Sequence, residues 1–113
     1  MRERYEEELK KLNSEIIRMG KSIEIAIESS MIALMGRDKL AAKTVRENDE
    51  AIDGLEREIE ALCMKLLLQE QPMATDLRLI TADLKMITDM ERIGDHACHI
   101  AEWVIFSVTG ERK

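Results

Sequence analysis

LRLITADLKMITDMERIGDHACHIAEWVIFSV, residues 77–108, holds a single apolar seam interrupted by one carboxylate. Counted back from Val108 in steps of three and four, the seam runs through Ile105, Ala101, Cys98 and Gly94 to Glu91, then on through Ile87, Leu84, Ile80 and Leu77. That spacing is the signature of one helical face, so Glu91 puts an anion where the register asks for an apolar group. Asp95 follows four residues later, about 40° further round a helix of roughly 3.6 residues per turn, and emerges on the same face. Desolvation and mutual repulsion both oppose burying two unpaired anions, so a positive group is required nearby. Gly94 beside them costs about 1 kcal/mol relative to Ala in a helix interior unless close packing needs it.

Two more helices precede this one. From Tyr5 the apolar residues recur at Leu9, Leu12, Ile16, Met19, Ile23, Ala26 and Ala33, with Ser30 interrupting. Ile27, Met31 and Leu34 widen that stripe, which suits burial on two sides. Gly36 punctuates the run, and Asp38 can cap a second helix by accepting a hydrogen bond from an exposed first-turn amide. The second seam is Val45, Asn48, Ile52, Leu55, Ile59, Leu62 and Leu66, with Asn48 its one polar member. Pro72 fits a helix's first turn but not its interior, so Glu70-Gln71-Pro72 marks the next boundary. The expected elements are helices over residues 4–35, 38–70 and 72–108, joined by short turns. They form one domain over residues 1–113, an all-α antiparallel up-down three-helix bundle. At about 1.5 Å per residue each helix should be roughly 45–50 Å long.

Composition narrows the class. The 113 residues are 45% hydrophobic and only 3% aromatic, so Leu, Ile, Ala and eight Met must fill the core. A net charge of -6 opposes binding to nucleic acid, which depends largely on neutralising phosphates. No run approaches the ~20 apolar residues of a membrane-spanning helix, and the N-terminus has no apolar signal core. Cys63 and Cys98 fall within helical patterns rather than a paired motif, which reads as reduced core thiols in a cytoplasmic protein.

The second helix carries an acidic stripe beside its seam, at Asp49, Asp53 and Glu56. Helix three extends its own stripe from Glu91 and Asp95 to His99 at the next four-residue step. Oxygen-rich sites with an imidazole suit iron, manganese or zinc, and oxygens alone suit calcium or magnesium. A shared cation would relieve the repulsion, whereas the plainer reading of the helix-two stripe is a solvated face compensated by nearby Lys and Arg. His96, Cys98 and His99 do not form a zinc cluster, because consecutive helical positions diverge by about 100°. Cys98 belongs to the core and His96 faces solvent. A di-iron oxidase needs a fourth helix and Glu-x-x-His steps, which this chain lacks. Nothing here pairs a nucleophile with an activating base, so a catalytic role is not expected.

Gln71-Pro72-Met73-Ala74-Thr75-Asp76-Leu77-Arg78, Glu91-Arg92-Ile93-Gly94-Asp95 and Asn48-Asp49-Glu50-Ala51-Ile52-Asp53-Gly54-Leu55-Glu56, in this arrangement, resemble the PhoU family of phosphate-uptake regulators. The resemblance covers nearly the whole chain and implies three-helix bundles, usually two in tandem, with acidic-x-x-x-Asp segments holding multinuclear metal clusters. Carried over by position, it nominates Glu91 and Asp95 with Asp49 and Asp53 as the facing pair, and Glu56 and His99 as weaker candidates. His99 stands where the family often has Asn, which bears on ligand number and metal preference. The implied metal is a divalent or trivalent cluster of iron or zinc, with manganese, magnesium and calcium as alternatives. The implied role is non-catalytic negative regulation of phosphate uptake and phosphate-starvation signalling, with the transporter ATPase and a sensor histidine kinase as partners. Membrane association is expected only through those partners. One bundle where the family usually has two suggests a homodimer, or half of a longer protein. Two other readings share the same residues: a metal-dependent enzyme or metal store, and a purely structural three-helix module.

Overall fold

The computed structural model describes residues 2–69 and 72–110. Helix α1 spans Arg2–Gly36, α2 Lys39–Gln69 and α3 Ala74–Thr109, and each packs against the other two. Together they fill 55 × 18 × 17 Å, the proportions of three long helices laid side by side.

The α1–α2 turn follows from its capping residues. Asp38 Oδ1 accepts a hydrogen bond from the Ala41 amide at 3.1 Å, and the Asp38 amide donates to the Ala33 carbonyl at 2.9 Å. One side chain thus starts α2 while its backbone closes α1. Gly36 is the last residue of α1, and Arg37 takes the left-handed conformation with φ 52°. Its guanidinium Nη2 donates to the Ser107 carbonyl at 3.1 Å, tying the turn to α3. At the other end the expected boundary shifts. Pro72 lies outside α3, Met73 occupies the N-cap with extended backbone, and the helix begins at Ala74. Glu70 and Gln71 lie outside the described residues.

Leu12, Met19, Ile59, Leu66, Ile80, Ile87 and Val104 are fully enclosed. The α1 row from Tyr5 to Ala33 faces inward as expected, and Ser30 is buried with its hydroxyl donating to the Ile27 carbonyl at 2.8 Å, but Ile27 and Met31, expected to widen the row, are exposed within this single bundle. Three seam assignments need correction. Leu77 and Val108 are exposed, and near the ends of α3 their neighbours turn inward instead: Asp76 accepts from the Tyr5 hydroxyl at 2.9 Å, and Ser107 and Thr109 are half-buried. Asn48 is exposed and Asp49 half-buried, since the α3 side of α2 between Val45 and Ile52 is the covered one.

The seam on α3 is also wider than its sequence reading. A second inward row runs Asp83, Met90, Ala97 and Val104 in steps of seven, buried or half-buried throughout. Gly94 is buried where the three helices meet. A Cβ there would lie 3.5 Å from Ile52 Cγ2 and 3.6 Å from Ile23 Cγ1, ordinary contact distances, so packing does not by itself require glycine at this position. Gly54 differs, because a Cβ there would meet nothing within 4 Å. Gly54→Ala is expected to stabilise the bundle by about 1 kcal/mol, a rise of about 4 °C in thermal unfolding followed by circular dichroism. An unchanged or lower midpoint would count against that open position.

Candidate metal centre

Because α2 and α3 run antiparallel, their acidic stripes face each other in opposite order. Asp49, Asp53 and Glu56 come from α2, and Glu91 and Asp95 from α3, all half-buried along the seam between the two helices. Their mutual fields show the pairing. Burial first, then the charges of Asp53, Asp95 and Glu102, push the Asp49 carboxyl up to about 6, while His99 pulls it down. Glu91 is raised by burial, then by Glu56 and Asp53, with an Asp53 hydrogen bond favouring its protonated form and Asp95 adding to the repulsion. Glu56 is raised by burial, then by Glu60 and Asp53, and lowered by Arg57. The ends of the cluster are therefore Asp49 with Asp95 and Glu102 at one side, and Glu56 with Glu91 at the other.

No Lys or Arg forms an ion pair with these carboxylates among the described residues. Arg92 faces away and approaches Asp89 at 3.8 Å. His99 is exposed, with Nε2 3.8 Å from Asp95 Oδ2, and its ring meets that of His96 edge-on at 6.2 Å. Asp53 Oδ1 is enclosed without a hydrogen-bond partner, an arrangement that protein structures rarely leave uncompensated. Among the described residues no three ligand-type side chains already converge on one point.

Both thiols are poor ligands. Cys98 lies beside the cluster, but burial, with Asp49, Glu102 and Asp95, pushes it up to about 11; burial and Asp83 do the same to Cys63. Neither is thiolate at neutral pH without a metal to displace its proton, so oxygen and imidazole are the donors ready to bind.

The nominated residues Asp49, Asp53, Glu56, Glu91, Asp95 and His99 thus occupy one face of the α2–α3 seam. Sequence reading missed Glu102, seven residues beyond Asp95 on the same stripe, a step that repeats the helical register and was readable. It also missed Asp83, which is 7% exposed with Oδ2 unpartnered, away from the cluster. Counting back by sevens from Val104, Ala97 and Met90 would have reached it.

An all-α bundle with opposed carboxylate pairs on adjacent antiparallel helices defines the class. The family model described as the PhoU domain matches residues 16–104, and the chain belongs to the PhoU family. It is 39% identical over 109 residues to a phosphate-specific transport system accessory protein PhoU homolog of Clostridium acetobutylicum, covering 96% of this chain and 49% of that protein. A homolog of the same description from Xylella fastidiosa is 45% identical over 98 residues, covering 87% of this chain and 40% of its own length. The crystal structure of PhoU from Pseudomonas aeruginosa superposes with a TM-score of 0.89 at 37% identity, covering 95% of this chain and 52% of that one. The chain spans about half the length of these relatives. No helix among the described residues is long and apolar enough to cross a membrane.

Proposed function

We propose that this chain is a non-catalytic, metal-binding adaptor that acts in the cytoplasm to restrain phosphate uptake and phosphate-starvation signalling, through contacts with the transporter ATPase and a sensor histidine kinase. Family membership supports the phosphate setting, since similar proteins are described as phosphate-specific transport system accessory proteins. The observation that carries the metal is the set of opposed acids itself: half-buried, mutually repelling and without Lys or Arg pairs, around an enclosed and unpartnered Asp53 Oδ1.

Asp49, Asp53, Glu91 and Asp95 would hold the cation, with Glu56 and His99 extending the set. Bound there, a cation supplies the positive charge the site lacks and fastens α2 to α3. Oxygens with one imidazole favour iron or zinc. Stabilisation of the folded form then follows metal occupancy and affinity, which ties the shape of the acidic face to the metal. The chain acts as a homodimer, for which exposed Leu79, Met86 and Ile93, seven residues apart on α3, and exposed Ile27 and Met31 on α1 offer apolar surface.

Native mass spectrometry of untagged protein, paired with phosphate uptake in cells, tests the proposal. Wild-type protein should carry metal as a dimer. Glu91→Ala with Asp95→Ala should remain dimeric, lose the metal and release uptake in phosphate-rich medium. Metal-free protein under every loading condition would refute the metal, a monomer at high micromolar concentration the dimer, and unchanged uptake the regulatory role.

A further inference from the structure

One end of the bundle differs from the rest in both charge and polarity. Residues 31–46 hold four cations, Arg37, Lys39, Lys43 and Arg46, against one acid, Asp38, in a chain whose net charge is -6. Asp38 is already engaged with the Ala41 amide. From Trp103 to Gly110 α3 carries no charged side chain. The Arg37–Ser107 hydrogen bond draws these two segments to one tip.

That tip also presents large apolar side chains to solvent. Met35 in the last turn of α1 is 83% exposed and Leu40 in the first turn of α2 75%, with Ile32 at 63% and Trp103 at 58% one turn back on α1 and α3. Exposed aliphatic groups, an indole and a collar of Lys and Arg are the elements of a surface that rests in a lipid interface. The apolar groups enter the acyl boundary, the indole sits at headgroup depth, and the cationic stems reach anionic headgroups. Elsewhere in the chain exposed Ile and Met lie among charges of both signs, as Met86 between Lys85 and Asp89 and Ile93 between Arg92 and Asp95, without the excess of cations found here.

We propose that this tip docks directly on an anionic lipid surface, with Met35, Leu40 and Trp103 in the interface and Arg37, Lys39 and Lys43 against the headgroups. The bundle then stands on this tip, with the acidic α2–α3 seam running along its side. Contact of this kind is additional to association through transporter partners and does not depend on the metal.

Trp103 is the chain's one tryptophan, so its fluorescence reports on the tip. Full-length protein is mixed with vesicles of phosphatidylcholine, with and without phosphatidylglycerol, and followed by Trp103 emission and flotation. Blue-shifted emission and flotation are expected with the anionic vesicles and should weaken as salt rises. Lys39→Glu with Lys43→Glu should weaken partitioning roughly tenfold or more, since each cation near such a surface contributes a severalfold factor. Leu40→Glu should abolish the shift, while Ile25→Glu, at an exposed apolar position outside the tip, should leave it intact. Circular dichroism establishes that each variant is folded, and exposed positions such as Leu40 leave the core untouched. No shift with anionic vesicles, equal binding to neutral ones, or full binding by Leu40→Glu would overturn the proposal. A blue shift that grows with protein concentration alone would also overturn it and give the tip to a second copy of the chain.

Discussion

Asp49→Asn combined with Glu91→Gln is expected to make the metal-free protein more stable at pH 7.5 and to remove its stabilisation by added divalent cations. The two substitutions keep shape and remove charge at the carboxyls that burial, and then their acidic neighbours, push up. Asp49 rises from 3.8 to about 6 on folding, so between those values the folded chain binds more protons than the unfolded one. Stability from this group therefore falls as pH rises through that window; the unfavourable contribution is absent below 3.8 and complete above about 6. Glu91 is shifted in the same direction and adds to it. A shift of this size at a partly exposed group, discounted for solvent screening, corresponds to about 1–2 kcal/mol. The variant should therefore melt about 4–8 °C higher than metal-free wild type at pH 7.5, and the difference should shrink towards pH 4. Iron(II) or zinc should raise the wild-type midpoint at pH 7.5 and leave the variant unmoved, because protons and metal compete for the same oxygens. Thermal unfolding at both pH values, with and without metal, gives all of these numbers. Equal midpoints for variant and wild type at pH 7.5 would reduce the acids to ordinary solvated charge.

The acids were legible because they stand out against a regular background. Ile87, Glu91, Gly94 and Cys98 recur at helical spacing, so one anion in the row is visible without coordinates, and Asp49 and Asp53 repeat the pattern on the preceding helix. The three helices were legible for the same reason, with Asp38 marking a boundary by its capping chemistry. What periodicity leaves open is how far a helix is rolled. Val45 and Ile52 are seven residues apart, and either Asn48 or Asp49 can lie between them; only the position of α3 gives the covered place to Asp49. The same ambiguity hid Asp83, since Leu84 also continues the seam by the three- and four-residue rule. Pro72 was assigned to a first turn because proline fits there, yet it fits equally well just outside, where Met73 can act as the N-cap. The combined α1–α2 and α3 tip was also invisible, because Leu40 and Trp103 are 63 positions apart and come to one end of the bundle only through folding, where the Arg37–Ser107 hydrogen bond ties the turn to α3.

Asp83→Ala and Ile87→Ala, one turn apart in the same core, are expected to change stability in opposite directions. Ile87 is 1% exposed within the apolar cluster, and its truncation removes buried methyl groups and leaves a cavity, at about 2–5 kcal/mol. Asp83 is nearly as enclosed, at 7%, but brings a carboxylate whose Oδ2 has no partner. Burial alone pushes its carboxyl up, and its charge in turn helps raise the neighbouring Cys63 thiol. Removing an unpartnered buried acid relieves a desolvation penalty of about 1–3 kcal/mol, and Ala is the best helix former for the interior of α3. The small void left by the carboxyl offsets part of that gain, so about 1 kcal/mol of net stabilisation is expected at pH 7.5, against a loss several times larger for Ile87→Ala. The pH dependence separates charge from packing. A raised carboxyl destabilises only where it is ionised, so the advantage of Asp83→Ala should diminish as pH falls towards the ordinary carboxylate value of 3.8. The loss from Ile87→Ala should persist across the same range, because a cavity has no proton to bind. Urea unfolding of both variants and wild type at pH 7.5 and pH 4.5 measures the two effects. Destabilisation by Asp83→Ala at both pH values would mean that its side chain serves the fold through packing, and that the enclosed oxygen is compensated in solution.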